Sequence, residues 1–155
     1  MTDLQPLTLL LGQSERQRDE ALALHQRARR ANDAAVAQSA QLRSYRRDYE
    51  QRWSAQFSRE GKIELVRCYQ SFMERLTQAV DQQAHVVEHA AQELERALGA
   101  LREAELRCAS VRKLIERRTH ERRAAADRRD QKQTDELASR AAWGRSSAGD
   151  HTRSL

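Results

Sequence analysis

A heptad pattern of apolar residues between Val66 and Ile115 constrains the fold of this chain more than any other feature. Of fifteen positions that alternate by three and four residues, fourteen are apolar and only Gln83 is polar. A strict 3.5-residue repeat over seven heptads is typical of a left-handed coiled-coil seam, not of a helix in a globular core. The positions are Val66, Tyr69, Met73, Leu76, Val80, Gln83, Val87, Ala90, Leu94, Ala97, Leu101, Ala104, Cys108, Val111 and Ile115.

An earlier stretch, from about residue 4 to residue 57, carries a similar but weaker pattern. Ten of its fourteen seam positions are apolar, and a neighbouring stripe through Leu11, Leu22, Val36 and Trp53 competes with them. The pattern therefore predicts a helix and leaves its buried face open. The fourteen positions are Leu7, Leu10, Ser14, Gln17, Ala21, Leu24, Ala28, Ala31, Ala35, Gln38, Leu42, Tyr45, Tyr49 and Arg52.

The short connection 58–62 contains Gly61, the only glycine between residues 12 and 99. A connection of this length predicts an all-α fold, a long two-helix antiparallel coiled-coil hairpin. With the turn near residue 60, facing residues have numbers that add to about 119, which places Leu4 opposite Ile115, where the second apolar seam stops. The second helix, about 63–142, should be the longer one and overhang at its C-terminal end, and residues 143–155 should form a disordered tail.

Composition favours an interaction protein over an enzyme. Charged residues make up 33% of the chain and aromatic residues 5%, so two helices can build a thin seam but not a deep cavity. No phosphate-binding glycine loop or zinc-spaced cysteine pair is present, and we expect no catalytic residue, cofactor or metal. No apolar run is long enough to span a membrane, and Cys68 and Cys108 should be free thiols.

One short motif matches a catalytic pattern, the H-x-x-E-H sequence of His85, Glu88 and His89. Two histidines four residues apart share a helical face and could bind zinc. Because they flank the seam, we expect them to face solvent, without a third ligand or a walled cleft.

Beyond Ile115 the apolar stripe becomes basic and reads Arg118, Arg122, Ala125, Arg129 and Lys132. The net charge of +5 fits an acidic partner. A solvated helix face, a protein-docking surface and a nucleic-acid-binding helix are the three interpretations. An antiparallel hairpin within one chain provides no symmetric pair of basic helices, which disfavours nucleic acid.

Six aromatic residues lie on both sides of the expected turn: Tyr45, Tyr49, Trp53, Phe57, Tyr69 and Phe72. They could close the end of the hairpin, or some could face outward as binding anchors.

Three motifs resemble those of the flagellar export protein FliJ family. They are Gln38-x-x-x-Leu42-x-x-Tyr45-x-x-x-Tyr49, then Tyr69-Gln70-x-Phe72-x-x-x-Leu76-x-x-Ala79, and a closing signature Asp130-Gln131-Lys132-x-x-Asp135-Glu136-x-Ala138-x-Arg140. Their order and the chain length also match the family.

The resemblance implies a coil similar to the central stalk of rotary ATPases. Such a coil binds the hexameric flagellar export ATPase, its joined N- and C-terminal end entering the ring, and contacts the cytoplasmic domain of the export gate and export chaperones. The implied gate contacts are Gln38, Leu42, Tyr45, Tyr49, Phe72, Leu76 and Ala79, whereas Gln83 replaces a histidine of the family pattern. The ring contacts would be Asp130, Gln131, Lys132, Asp135, Glu136 and Arg140, to which the basic stripe adds Arg118, Arg122 and Arg129.

We therefore expect a monomeric, cytoplasmic export accessory protein, peripheral at the inner-membrane export apparatus, with no nucleic-acid partner and no membrane span. The alternatives are an injectisome counterpart, a nucleic-acid-binding coiled coil and a passive spacer between other proteins.

Overall fold

The computed structural model describes residues 4–150, without the side chain of Asp150. Helix α1 covers Gln5–Phe57 and helix α2 covers Ile63–Asp150. The two helices pack against each other, and residues 4–150 contain no strand. The expected helical hairpin is therefore confirmed.

The connection between α1 and α2 is five residues long, from Ser58 to Lys62. The backbone N–H groups of Arg59 and Glu60 both donate to the carbonyl of Gln56, at 3.0 and 2.9 Å. The Ser58 hydroxyl donates to the Ser54 carbonyl at 3.1 Å. These bonds satisfy backbone carbonyls that the end of a helix otherwise leaves open.

The described residues form two compact units, residues 13–108 and residues 4–12 with 109–150. In the unit 13–108, the two helices run antiparallel, and the Gln83 Nε2 atom donates a hydrogen bond to the Ala35 carbonyl at 3.1 Å. The numbers of these two residues add to 118, against the expected sum of about 119. The described part of the other unit comprises residues 4–12 and 109–150. Leu7 is buried there, and Leu11, Val111, Leu114 and Ile115 are half-buried.

All fifteen predicted seam positions of α2 are buried or half-buried. The most enclosed is Cys108, whose side chain is 1% exposed. This face has only one polar member, so burying it removes apolar surface from water at little polar cost.

The structure shows which residues of α1 form the buried face, which the sequence left open. The positions seven residues apart, from Leu7 to Tyr49, are buried or half-buried as expected. The other half of the predicted set is exposed: Leu10, Gln17, Leu24, Ala31, Gln38, Tyr45 and Arg52. The residue that follows each of these takes its place in the seam: Leu11, Arg18, His25, Asn32, Ser39, Arg46 and Trp53.

The burial of the second α1 stripe in place of the predicted one has a physical reason. Five of the seven residues that replace the predicted set are polar, so an apolar pattern could not reveal them. The long side chains of Arg18 and Arg46 can lay their aliphatic stems along the seam and keep the charged group near water. Because α2 supplies an almost wholly apolar face, α1 can contribute polar residues and still pack.

Helix α2 does not end near residue 142 but continues to Asp150. The expected tail 143–155 is thus helical over 143–150, and its last five residues lie outside the described part. Alanine and arginine at positions 141, 142, 145 and 148 favour a helix, and each of the two glycines, Gly144 and Gly149, costs only about 1 kcal/mol relative to alanine.

Candidate partner-binding surfaces

The residues expected to contact the export gate lie in the unit 13–108 and differ in exposure. Gln38 and Tyr45 are exposed, and Tyr45 is 50% accessible. Leu42, Tyr49, Phe72 and Ala79 are half-buried, and Leu76 is buried. Gln38 and Tyr45 belong to the α1 stripe that lies outside the seam, and both are therefore at the surface.

Tyr45, Tyr49 and Phe72 are brought together by the packing of α1 on α2. The ring of Phe72 lies 4.3 Å from that of Tyr49 and 6.5 Å from that of Tyr45, between centroids. The two tyrosine rings are 6.0 Å apart. Aromatic rings at these separations attract one another through their edges and faces, which fixes the exposed Tyr45 against a packed base.

The remaining aromatic residues continue the cluster toward the turn. Tyr69 stacks on Tyr49 at 6.2 Å and contacts Trp53 and Phe57 at 5.6 and 5.2 Å. These four residues and Phe72 are half-buried, so five of the six aromatic residues close this part of the hairpin. Tyr45 alone of the six faces outward.

A charged residue of α1, Arg18, contacts the buried Cys108 inside the seam of the unit 13–108. Arg18 Nη1 lies 3.9 Å from the Sγ atom of the buried Cys108 and donates to it. The same guanidinium donates to the Asp19 carboxylate at 3.0 Å. That hydrogen bond raises the pKa of Arg18. Both cysteines are free, Cys68 being exposed.

The residues expected to contact the ATPase ring lie on α2, in the other unit. Arg118, Arg129 and the six motif residues are exposed, and Arg122 is half-buried. The Gln131 amide donates to the Asp135 carboxylate at 3.4 Å, and the Thr134 hydroxyl donates to the Asp130 carbonyl at 2.9 Å. The carboxylate of Asp135 is thus held within its own helix, whereas the bond to Asp130 involves the backbone and not its carboxylate.

Every residue from 126 to 149 is exposed, although all belong to α2. In proteins, packing against other elements supplies most of the stability of a helix. A helix segment that is exposed on all sides is therefore a surface against which another molecule can pack. The apolar pattern did not reveal two members of this segment, Leu137 and Trp143, which are 65% and 78% exposed. The available signal was Trp143 itself, because a tryptophan is rare in a chain with 5% aromatic residues.

His85, Glu88 and His89 are all exposed on α2. Within residues 4–150, no group of three or more histidine, cysteine or acidic side chains is placed to hold a metal ion. Neither helix, over the same residues, has a stretch apolar and long enough to cross a bilayer.

Comparison with known proteins gives one result. Neither the curated proteins nor the solved structures contain a significant match to the chain. The family model for the flagellar FliJ protein matches residues 3–147, nearly the whole sequence. The chain therefore belongs to the FliJ family and is a coiled-coil protein related to flagellar protein export.

Proposed function

We propose that this protein is an accessory stalk of the flagellar export apparatus. It binds the hexameric export ATPase, raises ATP hydrolysis, and links the ring to the cytoplasmic domain of the export gate and to export chaperones. It acts as a monomer in the cytoplasm, peripheral to the inner membrane, and catalyses no reaction itself. The family match is to flagellar proteins, which favours the flagellar system over an injectisome.

The observation that carries this proposal is the exposed part of α2. Residues 126–149 form a helix that no other segment of the described chain covers, and the closing signature of the FliJ family lies within it. Charged residues held on a bare helix can pair with a partner on any side of that helix. We therefore assign ring contact to the expected residues of this segment and to the arginines that precede it.

The gate contact is supported by the aromatic cluster. Tyr45 is exposed but held against Phe72 and Tyr49, and an aromatic residue that is already fixed loses little conformational entropy on binding. Gln38 lies seven residues earlier on the same helical face. Leu76 is buried and therefore acts through the packing beneath this surface.

The ring contact is tested by adding the protein to purified flagellar export ATPase and measuring hydrolysis and hexamer yield. The wild-type protein should raise both. Replacing Asp135, Glu136 and Arg140 by alanine should weaken binding by about tenfold or more, since it removes three charged contacts. A matched control replaces Asp81, Glu95 and Arg102, which are equally exposed on α2 in the unit 13–108, and should bind normally. The absence of any effect of wild-type protein on the ATPase would refute the proposal.

The gate contact is tested separately with the purified cytoplasmic domain of the gate. Tyr45→Ala should reduce its binding about tenfold and leave the ATPase stimulation unchanged, because Tyr45 is an exposed anchor. Leu22→Ala removes a side chain of similar exposure from another face of α1 and serves as the control. Equal loss in the two variants would show that this surface has no specific role.

A further inference from the structure

Between residues 117 and 132, the cations of α2 lie mostly on one side of the helix. At about 100° per residue, six of the seven fall within about 140° of arc, and only Arg123 lies opposite them. This side, the basic face, consists of Arg117, Arg118, Arg122, Arg128, Arg129 and Lys132. It contains one acidic residue, Glu121, and therefore has a net charge of +5. The other side of the same stretch has Asp127 and Asp130 against Arg123, a net charge of −1.

Most of the basic face is accessible to an external anion. Five of its six cations are exposed, and Arg122 is half-buried. Among residues 4–150, none of the five exposed cations forms an ion pair with an acidic side chain. Their one hydrogen bond runs from the Arg128 Nε atom to the Ala124 carbonyl at 3.3 Å. An anion that binds to this face therefore displaces no internal ion pair.

The basic face offers charge but almost no apolar anchor. Ala125 is its only apolar residue between positions 117 and 132. Protein partners usually gain most of their affinity from a few large aromatic or arginine residues packed in pockets at the centre of a contact. The headgroups of an anionic bilayer, in contrast, attract a row of cations without any pocket. The face is about 22 Å long, and a flat surface can reach all of it at once.

Trp143 lies on the same side of α2. It follows Arg117 by 26 residues, which places it about 80° around the helix from Arg117 and inside the arc of the basic face. Its side chain is 78% exposed. Tryptophan is enriched where a bilayer meets water, because its ring is apolar and its N–H can stay near the headgroups. A paired nucleic-acid duplex leaves no base free to stack on this ring.

We propose that the basic face and Trp143 bind the headgroup surface of an anionic lipid bilayer, with α2 lying along that surface over residues 117–143. The cations approach the lipid phosphates, and the indole enters the interface between headgroups and acyl chains. The inference goes beyond the proposed function and does not depend on it, because no ATPase takes part. Arg118, Arg129 and Lys132 are also assigned to ring contact, so a chain that lies on the bilayer cannot offer them to the ring at the same time.

Vesicle flotation measures the contact directly. The full-length protein should bind vesicles of phosphatidylglycerol and phosphatidylcholine, mixed about 1:2, at least about twentyfold more tightly than vesicles of phosphatidylcholine alone. Binding to the anionic vesicles should fall about tenfold or more when salt is raised from about 0.1 to 0.5 M, since salt screens the cations. Equal binding to the two kinds of vesicle, or to neither, would overturn the proposal.

Two pairs of substitutions test whether the cations must share one face. Arg118→Gln with Arg129→Gln removes two cations from the basic face and should weaken binding to the anionic vesicles about tenfold or more. Arg123→Gln with Arg145→Gln is the matched control. It changes the net charge equally in the same helix, but these two exposed residues lie about 240° and 280° around from Arg117, outside the face. The control should weaken binding less than about threefold, and equal weakening by both pairs would refute the basic face.

Neutralising two acidic residues distinguishes the bilayer from a protein partner. Asp135 and Glu136 lie on the same side as the basic face, at about 0° and 100° from Arg117. Asp135→Asn with Glu136→Gln should strengthen vesicle binding about fivefold, because it removes repulsion from the lipid phosphates. Weaker vesicle binding would contradict the inference. The same variant should bind the export ATPase less tightly, and an unchanged affinity there would count against the ring contact but not against the bilayer.

Trp143 reports its own environment. Trp53→Phe leaves Trp143 as the only tryptophan of the chain. On anionic vesicles its emission should shift to shorter wavelength, and brominated phosphatidylcholine in the vesicles should quench it about twofold or more. Vesicle binding without either change would refute the role of Trp143. Duplex DNA is the comparison surface, and tighter binding to DNA than to the anionic vesicles would assign the basic face to nucleic acid instead.

Discussion

Gln83 shows how one residue can set the alignment of two helices. It is the only polar member of the α2 seam, it is buried, and its amide reaches the carbonyl of Ala35 on α1. A buried polar residue in a coiled-coil seam stabilises less than leucine but favours the register in which its hydrogen bond forms. We expect Gln83→Leu to match or exceed the wild-type free energy of unfolding, and Gln83→Ala to lower it by about 1–2 kcal/mol.

Urea unfolding followed by circular dichroism measures both values. Gln82→Ala is the control, because Gln82 is exposed beside Gln83 on the same helix, and it should change stability by less than about 0.5 kcal/mol. If Gln83→Leu is as destabilising as Gln83→Ala, the hydrogen bond to Ala35 contributes net stability and does more than set the register.

The two cysteines should differ sharply in reactivity. Cys68 is exposed, whereas Cys108 is 1% exposed and lies against Arg18. A thiol reagent needs access to the sulfur, so burial protects Cys108 until the helices separate locally. We expect Ellman's reagent to modify one thiol per native chain rapidly and the second at least about a hundredfold more slowly.

The control for this measurement is Cys68→Ser, which should remove the rapid phase and leave the slow one. In concentrated denaturant both thiols of the wild-type chain should react at one rate. Two rapid thiols in the native protein would mean that the seam near Cys108 is open.

At the scale of the helix, α1 and α2 differ in how far the sequence predicts their buried faces. The α2 face is apolar at nearly every position, and the structure buries all of it. In α1 the face that packs includes Arg18, His25 and Arg46, while Leu24 and Tyr45 remain outside. A search for apolar periodicity selects the more apolar stripe of α1, but the partner helix decides which stripe is buried.

The same limit applies to the candidate surfaces. Gln38 and Tyr45 lie on the outer α1 stripe. The family motif predicts that they contact a partner, whereas the apolar pattern places the same two residues in the core. The sequence does not single out Leu137 and Trp143, because the glycines and serines around Trp143 suggest a tail, whereas the helix continues to Asp150. Helix ends depend on small differences in propensity that composition alone does not resolve.

Gly99 offers a test of local stability in α2. It lies in the helix, its φ is not positive, and an added Cβ would meet no atom within 4 Å other than its chain neighbours and the nearby backbone of α2. Gly99→Ala should therefore raise the free energy of unfolding by about 0.5–1 kcal/mol, because alanine loses less backbone entropy in a helix.

Gly61→Ala is the matched control, since Gly61 has equal space around it but lies in the turn between the helices. It should gain less than about half as much stability, because no helical geometry is imposed there. Thermal melts of both variants compare the two sites. If Gly99→Ala is destabilising, some interaction of α2 requires the missing Cβ.

At the scale of the whole chain, a 53-residue helix packs against an 88-residue helix, so α2 must have a stretch for which α1 has no counterpart. Few large apolar residues leave such a protein little scope for a substrate cavity, but a long surface for partners. The charged side chains keep that surface hydrated until a partner binds to it. These features of the whole chain are consistent with the proposed role in recognition.

Removal of residues 126–155 tests whether α2 separates into a part that stabilises the hairpin and a part that binds. All side chains from 126 to 149 are exposed, so their loss removes little buried apolar area and should shift the melting temperature by less than about 2 °C. The truncation deletes 25 of the 141 residues in the two helices, and the helical circular dichroism per chain should fall by about a sixth. Stimulation of the export ATPase should be lost.

The control is a chain truncated after Asp150, which keeps all of α2 and should retain both stability and stimulation. A large drop in melting temperature for the shorter chain would mean that residues 126–150 stabilise the hairpin, and loss of stimulation could then reflect unfolding. An unchanged melting temperature together with unchanged stimulation would instead place the ATPase contact elsewhere in the chain. Only unchanged stability with lost stimulation assigns the exposed helix to binding, because exposure frees its residues from the packing that holds the rest of α2.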